Sequence, residues 1–177
     1  MGAGANSLMA RLHQQPICLA SSLFVPWLTL AAPTWLSLSG VGPCWAVLWL
    51  LPWALVDGPV SGFIAGLCLG LVLDGLSLGG ASQLPALMAL GWWWGRLGRR
   101  APPIQGSFNL GLLAWIGTAL VGLSLWLQTL LIQFDSSVSW LHSWGLNTFL
   151  AQSLITGLVA PLLVSWMLLI WRRLARA

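Results

Sequence analysis

Lysine, glutamate and tyrosine are missing altogether from this 177-residue chain, and charged residues of every kind make up only 6% of it. Soluble domains carry about a quarter. With 58% hydrophobic residues, a compact body would have almost no charge with which to face water, so its outside must meet lipid. Basic residues are too few for a second class of function. Seven Arg against three Asp give a net positive chain, but no dense basic face of the kind nucleic acid requires. The cysteines are only three. Cys18, Cys44 and Cys68 lie far apart inside apolar runs and match no zinc or redox spacing, so they read as small buried hydrophobes. HExxH, GxSxG, P-loop and paired intramembrane Asp patterns are absent from the sequence. Asp135 and His142 fall close together, but one acid and one imidazole do not define a metal site. The expectation is a protein with no catalytic, metal or cofactor-binding residues.

What the chain does contain is apolar stretches of membrane-crossing size. A helix needs roughly 20 apolar residues to cross the hydrocarbon, and the length leaves room for about six such crossings with short loops. They are expected at 17–38, 43–56, 59–76, 81–97, 107–131 and 146–171. This is an all-α polytopic membrane protein in a single membrane domain. Pro26, Pro33 and Pro161 fall inside crossings, where neighbouring helices must satisfy the freed carbonyls. The run after Arg11 continues beyond Ala31-Ala32 to Leu38, longer than a signal-peptide core, and is read as a retained helix. Asp57-Gly58-Pro59 is a tight reversal, in which Asp57 can cap the next helix and Pro59 suits its first turn. Ala101-Pro102-Pro103 stops the fourth helix. Within the most polar loop, Phe134, Val138, Leu141 and Trp144 recur at helical spacing, which predicts a short surface helix over 134–144. The second and fourth stretches are short, and a re-entrant second–third pair would reduce the count to five.

The arginines arbitrate. They fall in three places: Arg11; Arg96, Arg99 and Arg100; and Arg172, Arg173 and Arg176. Cytoplasmic loops collect Arg, and each guanidinium near the anionic inner leaflet gains about 1 kcal/mol. All three places share one side only if an even number of crossings separates them. Six crossings give four and then two, with both termini in the cytoplasm. The Trp residues partly agree. On this map Trp35, Trp45, Trp140 and Trp144 lie at the outer interface, and Trp53, Trp92, Trp93, Trp94 and Trp171 at the inner one. Trp27, Trp49, Trp115 and Trp166 fall deeper, where their N–H groups need partners.

One local pattern stands out. Gly58, Gly62, Gly66 and Gly70 repeat every four residues, and Asp74 takes the next place. Small residues at this spacing let two helix backbones approach closely. The stripe is either a docking seam for another protein or an internal seam against a neighbouring helix. The internal seam is preferred, because a six-helix bundle needs such seams anyway. Asp74 would be a functional candidate if buried in lipid, but on this map it lies near the outer interface, where hydration makes it inexpensive.

The stretch Gly42-Pro43-Cys44-Trp45 through Trp53, then Gly62, Gly66, Gly70 to Asp74 and Gly79-Gly80, resembles the rod shape-determining protein MreD family. The matching elements are a Pro-x-Trp start to one helix and a Gly-x-x-x-Asp end to the next, carried here by Pro43, Trp45, Gly70 and Asp74. The ending Ala160-Pro161 through Trp171-Arg172-Arg173 is similar to that family's last helix with its basic tail. The resemblance implies a non-enzymatic protein of the bacterial inner membrane. Its partners would be an MreC-like single-pass membrane protein and the elongation machinery that builds lateral peptidoglycan. That fold also resembles substrate-binding subunits of vitamin transporters, which supplies an alternative: a small-solute binding subunit, with the deep Trp residues lining its cavity. An intramembrane enzyme acting on lipids rests only on the Asp and His inventory.

Overall fold

The computed structural model describes residues 20–31, 37, 40–77, 81–100, 107–132 and 139–174, with side chains described outside 107, 132, 139–147 and 172–174. Among the described residues the regular elements are helical. A 3-10 turn, Ser21–Leu23, leads into α1 (Phe24–Ala31); α2 (Trp45–Asp57), α3 (Pro59–Leu76), α4 (Leu84–Arg100), α5 (Ser107–Ile132) and α6 (Ser139–Leu174) follow. Among the described residues three helical spans are long and apolar enough to cross a membrane: Pro59–Leu76, Phe108–Leu131 and Thr148–Trp171. These spans point to a membrane protein. The segment Ser21–Ala31 and helix α2 are apolar but shorter, and α4 has 17 residues with three Arg in its second half.

The shortest of the inner helices is the hub. Every residue from Ala46 to Ala54 is buried, and α2 touches all five other helices. A helix apolar on every side has no face to offer water and becomes stable only when surrounded. Its sequence, Trp-Ala-Val-Leu-Trp-Leu-Leu-Pro-Trp-Ala-Leu-Val-Asp, is of that kind. Thirteen residues make about 20 Å of helix, less than the roughly 30 Å of a hydrocarbon core. Residues 40–44, which precede it, are not helical. Buried non-helical backbone needs a protein partner for its polar groups, and α6 supplies one. The buried Cys44 N–H donates to the Thr156 hydroxyl at 2.9 Å, and that hydroxyl donates in turn to the Gln152 carbonyl at 2.6 Å.

Helices α3 and α4 form the most extensive pair, and α5 with α6 the next. Gly111 approaches Gly157 and Pro161, and Gly122 approaches Phe149, so α5 and α6 run antiparallel. Helix α6 is 36 residues long, about 54 Å. It starts at Ser139, so residues 139–144, expected in a separate surface helix, are its first turns. Gly145 is the only interruption available there, and one glycine costs a helix about 1 kcal/mol, too little to end it. The remainder of the expected surface helix, 134–138, lies outside the described residues. So do 17–19, 32–36 and 38 of the first expected crossing, with Pro33 and Trp35.

Candidate functional site: a glycine seam and a tryptophan groove on one helix

Two faces of α3 carry the residues that the sequence singled out. The first is the glycine stripe. A methyl group at Gly62 would strike the Gly91 carbonyl, one at Gly66 the Leu87 carbonyl, and one at Gly70 the Leu84 backbone. The contact is mutual, since a methyl at Gly91 would strike the Gly62 carbonyl. Farther along, Gly95 lies on Pro59 and Gly98 on the Leu55 carbonyl. Positions 70, 66, 62 and 59 thus meet 84, 87, 91 and 95 in antiparallel register. Of the two readings of the stripe, the structure places it in an internal seam: Gly62, Gly66 and Gly70 are buried against α4. Its partner residues Gly91, Gly95 and Gly98 escaped the sequence reading, although their spacing of four and three puts them on one helix face.

The seam is pinned at both ends. At one end Asp74 reaches across to the start of α4. Its carboxylate accepts the Gln83 N–H at 2.7 Å and the Ser82 hydroxyl. An anion at a helix N-terminus meets unpaired N–H groups and the positive end of the helix dipole. Gln128 of α5 completes the clamp. It accepts from the Ser82 N–H at 2.7 Å and donates to the Ser82 carbonyl at 2.8 Å. Asp74 is therefore engaged in joining α3, α4 and α5. At the other end Gly58 adopts φ 97°, a left-handed region that favours glycine. A methyl there would also lie 2.9 Å from a terminal guanidinium nitrogen of Arg99. Asp57, expected as the cap of α3, is instead the last residue of α2, and Gly58 takes the N-cap position; the Asp57 carboxylate accepts the Ser61 hydroxyl one turn into α3, and Trp53 Nε1 donates to that hydroxyl at 3.0 Å.

The second face of α3 is open. Between α1, α2 and α3 runs a groove of about 490 Å³, within the ~300–1,000 Å³ of ligand pockets. Its floor is Trp49 and Trp53, four residues apart on α2 and stacked at 5.0 Å. The Trp49 indole N–H donates to Ser21 at 2.9 Å, tying the floor to the turn before α1. Leu23, Val60, Ile64 and Val72 are exposed along its rim. Cys68 also lies here and is exposed, contrary to its expected burial, because its position on α3 faces away from the seam. Cys44 is buried as expected. At one end of the groove are Asp57, Ser61 and Arg99.

The remaining positions follow. Pro43 is buried, and Trp45 opens α2 and packs partly buried against the core. Arg96 lies 4.7 Å over the Trp92 ring, and Arg96, Arg99 and Arg100 are exposed. The Trp171 ring, next to Arg172 and Arg173 in sequence, meets Trp53 edge-on at 5.6 Å. The basic end of α4 and the C-terminal end of α6 thus lie at the same end of the bundle, beside the Asp57–Gly58 turn. The side chains of Arg172, Arg173, Trp140 and Trp144 and residues 175–177, including Arg176, lie outside the described part, as do Arg11, Cys18, His13 and Asp135. Trp53, Trp94 and Trp171, expected as interfacial anchors, are instead buried at 4%, 0% and 5% exposure, because each fills a gap between helices. Of the deep tryptophans only Trp49 lines the groove; Trp27, Trp115 and Trp166 point outward.

These features define a helical membrane-type bundle organised around a buried central helix. Comparisons with protein-family models, curated proteins and solved structures find no match to this chain.

Proposed function

We propose that this chain is a non-enzymatic component of the bacterial inner membrane that scaffolds lateral peptidoglycan synthesis in a rod-shape or elongation machinery, together with an MreC-like single-pass partner. The observation that carries the reading is the arrangement of the residues behind the MreD resemblance. Pro43 and Trp45 start the hub helix, Gly62, Gly66 and Gly70 form the seam, and Asp74 pins it. A family pattern spread over a long stretch of chain becomes one mechanical unit. Such a unit suits a protein whose task is to hold a shape for partners, and Asp74 acts in it as an acceptor for a helix terminus.

In this proposal the chain crosses six times. Helix α2 together with residues 40–44, which can reach up to about 17 Å beyond it, makes one of the shorter crossings, and α1 and α4 belong to the others. Both basic ends face the cytoplasm, supported by their meeting at one end of the bundle and by the retention of Arg on that side. The transporter-subunit alternative drew on deep tryptophans around a shared cavity. Three of those four are exposed on separate outward faces, which removes most of its motive.

The test is genetic and biochemical. Clean removal of the gene, with no second copy present, should round the cells, and the tagged protein should retain a single-pass membrane partner through purification. Rods of normal shape and width after removal would sink the proposal.

A further inference from the structure

The groove beside α3 has a chemistry of its own. Its wall from Val60 to Val72 covers thirteen residues, about 18 Å along the helix, a little more than half of a roughly 30 Å hydrocarbon core. Polarity is graded along that length. Ile64, Cys68 and Val72 stand on α3 with Trp49 and Trp53 opposite, and the charged groups gather at the Asp57–Gly58 end. The rim side chains are on the outward faces of their helices, so among the described residues the groove opens sideways, where a bilayer would be, rather than into a closed chamber suited to a water-soluble solute. At the polar end the two charges are not equivalent. Asp57 is 8% exposed and takes up the Ser61 hydroxyl, whereas Arg99 is exposed at the mouth.

We infer that the groove seats one acyl chain of an anionic phospholipid, with its phosphate held at the mouth by Arg99. The inference rests on membrane residence and not on the cell-shape proposal. An extended chain fills a slot one leaflet deep, and the indoles of Trp49 and Trp53 give it a flat apolar wall. Guanidinium and phosphate pair through parallel N–H···O bonds, in the zone where a basic residue near a headgroup is most favoured.

Native mass spectrometry of the full chain tests this, after detergent exchange in the presence of phosphatidylglycerol, phosphatidylcholine or inorganic phosphate. One phosphatidylglycerol per chain should remain bound, with phosphatidylcholine retained at least tenfold less and phosphate not at all. Arg99→Gln removes the headgroup partner, and Cys68→Trp fills the slot without touching charge. Each should lower phosphatidylglycerol retention at least tenfold while the thermal unfolding profile stays that of the wild type. Arg96→Gln, whose guanidinium lies over Trp92, should retain the lipid. Equal retention of the two lipids, retention unchanged in a folded Arg99→Gln or Cys68→Trp protein, a polypeptide carried in place of lipid, or no lipid retained overturns the inference.

Discussion

The two faces of α3 solve different problems with neighbouring residues. On the seam face, Gly62, Gly66 and Gly70 bring backbone against backbone, and no space remains for even one methyl group. On the groove face, one or two positions away, Ile64, Cys68 and Val72 stand apart from α2 and leave an open slot. Lipid-exposed helices gain little from the hydrophobic effect when they pair, because lipid is as apolar as leucine. Close packing of small residues supplies the association instead. The seam is therefore where α3 is committed, and the groove is where it remains available.

That comparison can be broken by substitution, and the largest effect belongs to the seam. Gly66→Leu places a side chain into the Leu87 backbone, which neither helix can yield without separating. The expected loss is about 3 kcal/mol or more, seen as failure to recover monodisperse protein or as a large drop in unfolding temperature. A well-folded Gly66→Leu protein would show that the seam is not close-packed. Asp74→Ala comes next. It strips acceptors from Ser82 and the Gln83 N–H at the start of α4, at a cost of about 1.5–3 kcal/mol for bonds to a charged group. Asp74→Asn keeps one acceptor oxygen and should lose less. Chemical denaturation in detergent ranks the two, and equal stability of Ala and wild type would remove Asp74 from the clamp. Thr156→Val leaves the buried Cys44 N–H without its acceptor and should cost about 1–3 kcal/mol. Cys68→Ser on the groove face should shift stability by no more than about 0.5 kcal/mol. A loss as large as that of the seam substitution would mean that the groove face is packed after all.

How far the sequence carried the reading depends on whether a feature is local. Helix α3 was legible to its ends, 59–76, because Pro59 suits a first turn and Gly58 permits a left-handed reversal. The four-residue glycine stripe implies a close approach of two helix backbones, and the seam is internal. Which helix filled it depended on Gly91, Gly95 and Gly98, hidden among Trp and Arg residues that drew attention to the membrane interface instead. The role of Asp74 required knowing that α3 and α4 fold back on each other. Only then does a residue eight positions before Ser82 become its neighbour. Trp53 is buried rather than interfacial for a physical reason: indole suits both a lipid interface and a core that offers a hydroxyl, and sequence alone does not show where Ser61 will be. The groove was invisible in one dimension, since it is a gap between three helices. Polar residues near the start of α6 resemble a loop in the sequence, yet Gly145 is too weak a breaker to interrupt the helix.

The proposed topology places the basic ends of α4 and α6 in the same aqueous compartment, the cytoplasm. Single cysteines introduced as Ala101→Cys, Ser136→Cys and Ala177→Cys in a background with Cys18, Cys44 and Cys68 replaced by serine report it, through labelling by a membrane-impermeant maleimide. Intact cells should label Ser136→Cys alone, and the other two should react only after permeabilisation. Labelling of Ala101→Cys from outside while Ala177→Cys stays protected would place the two basic ends on opposite sides and contradict the account.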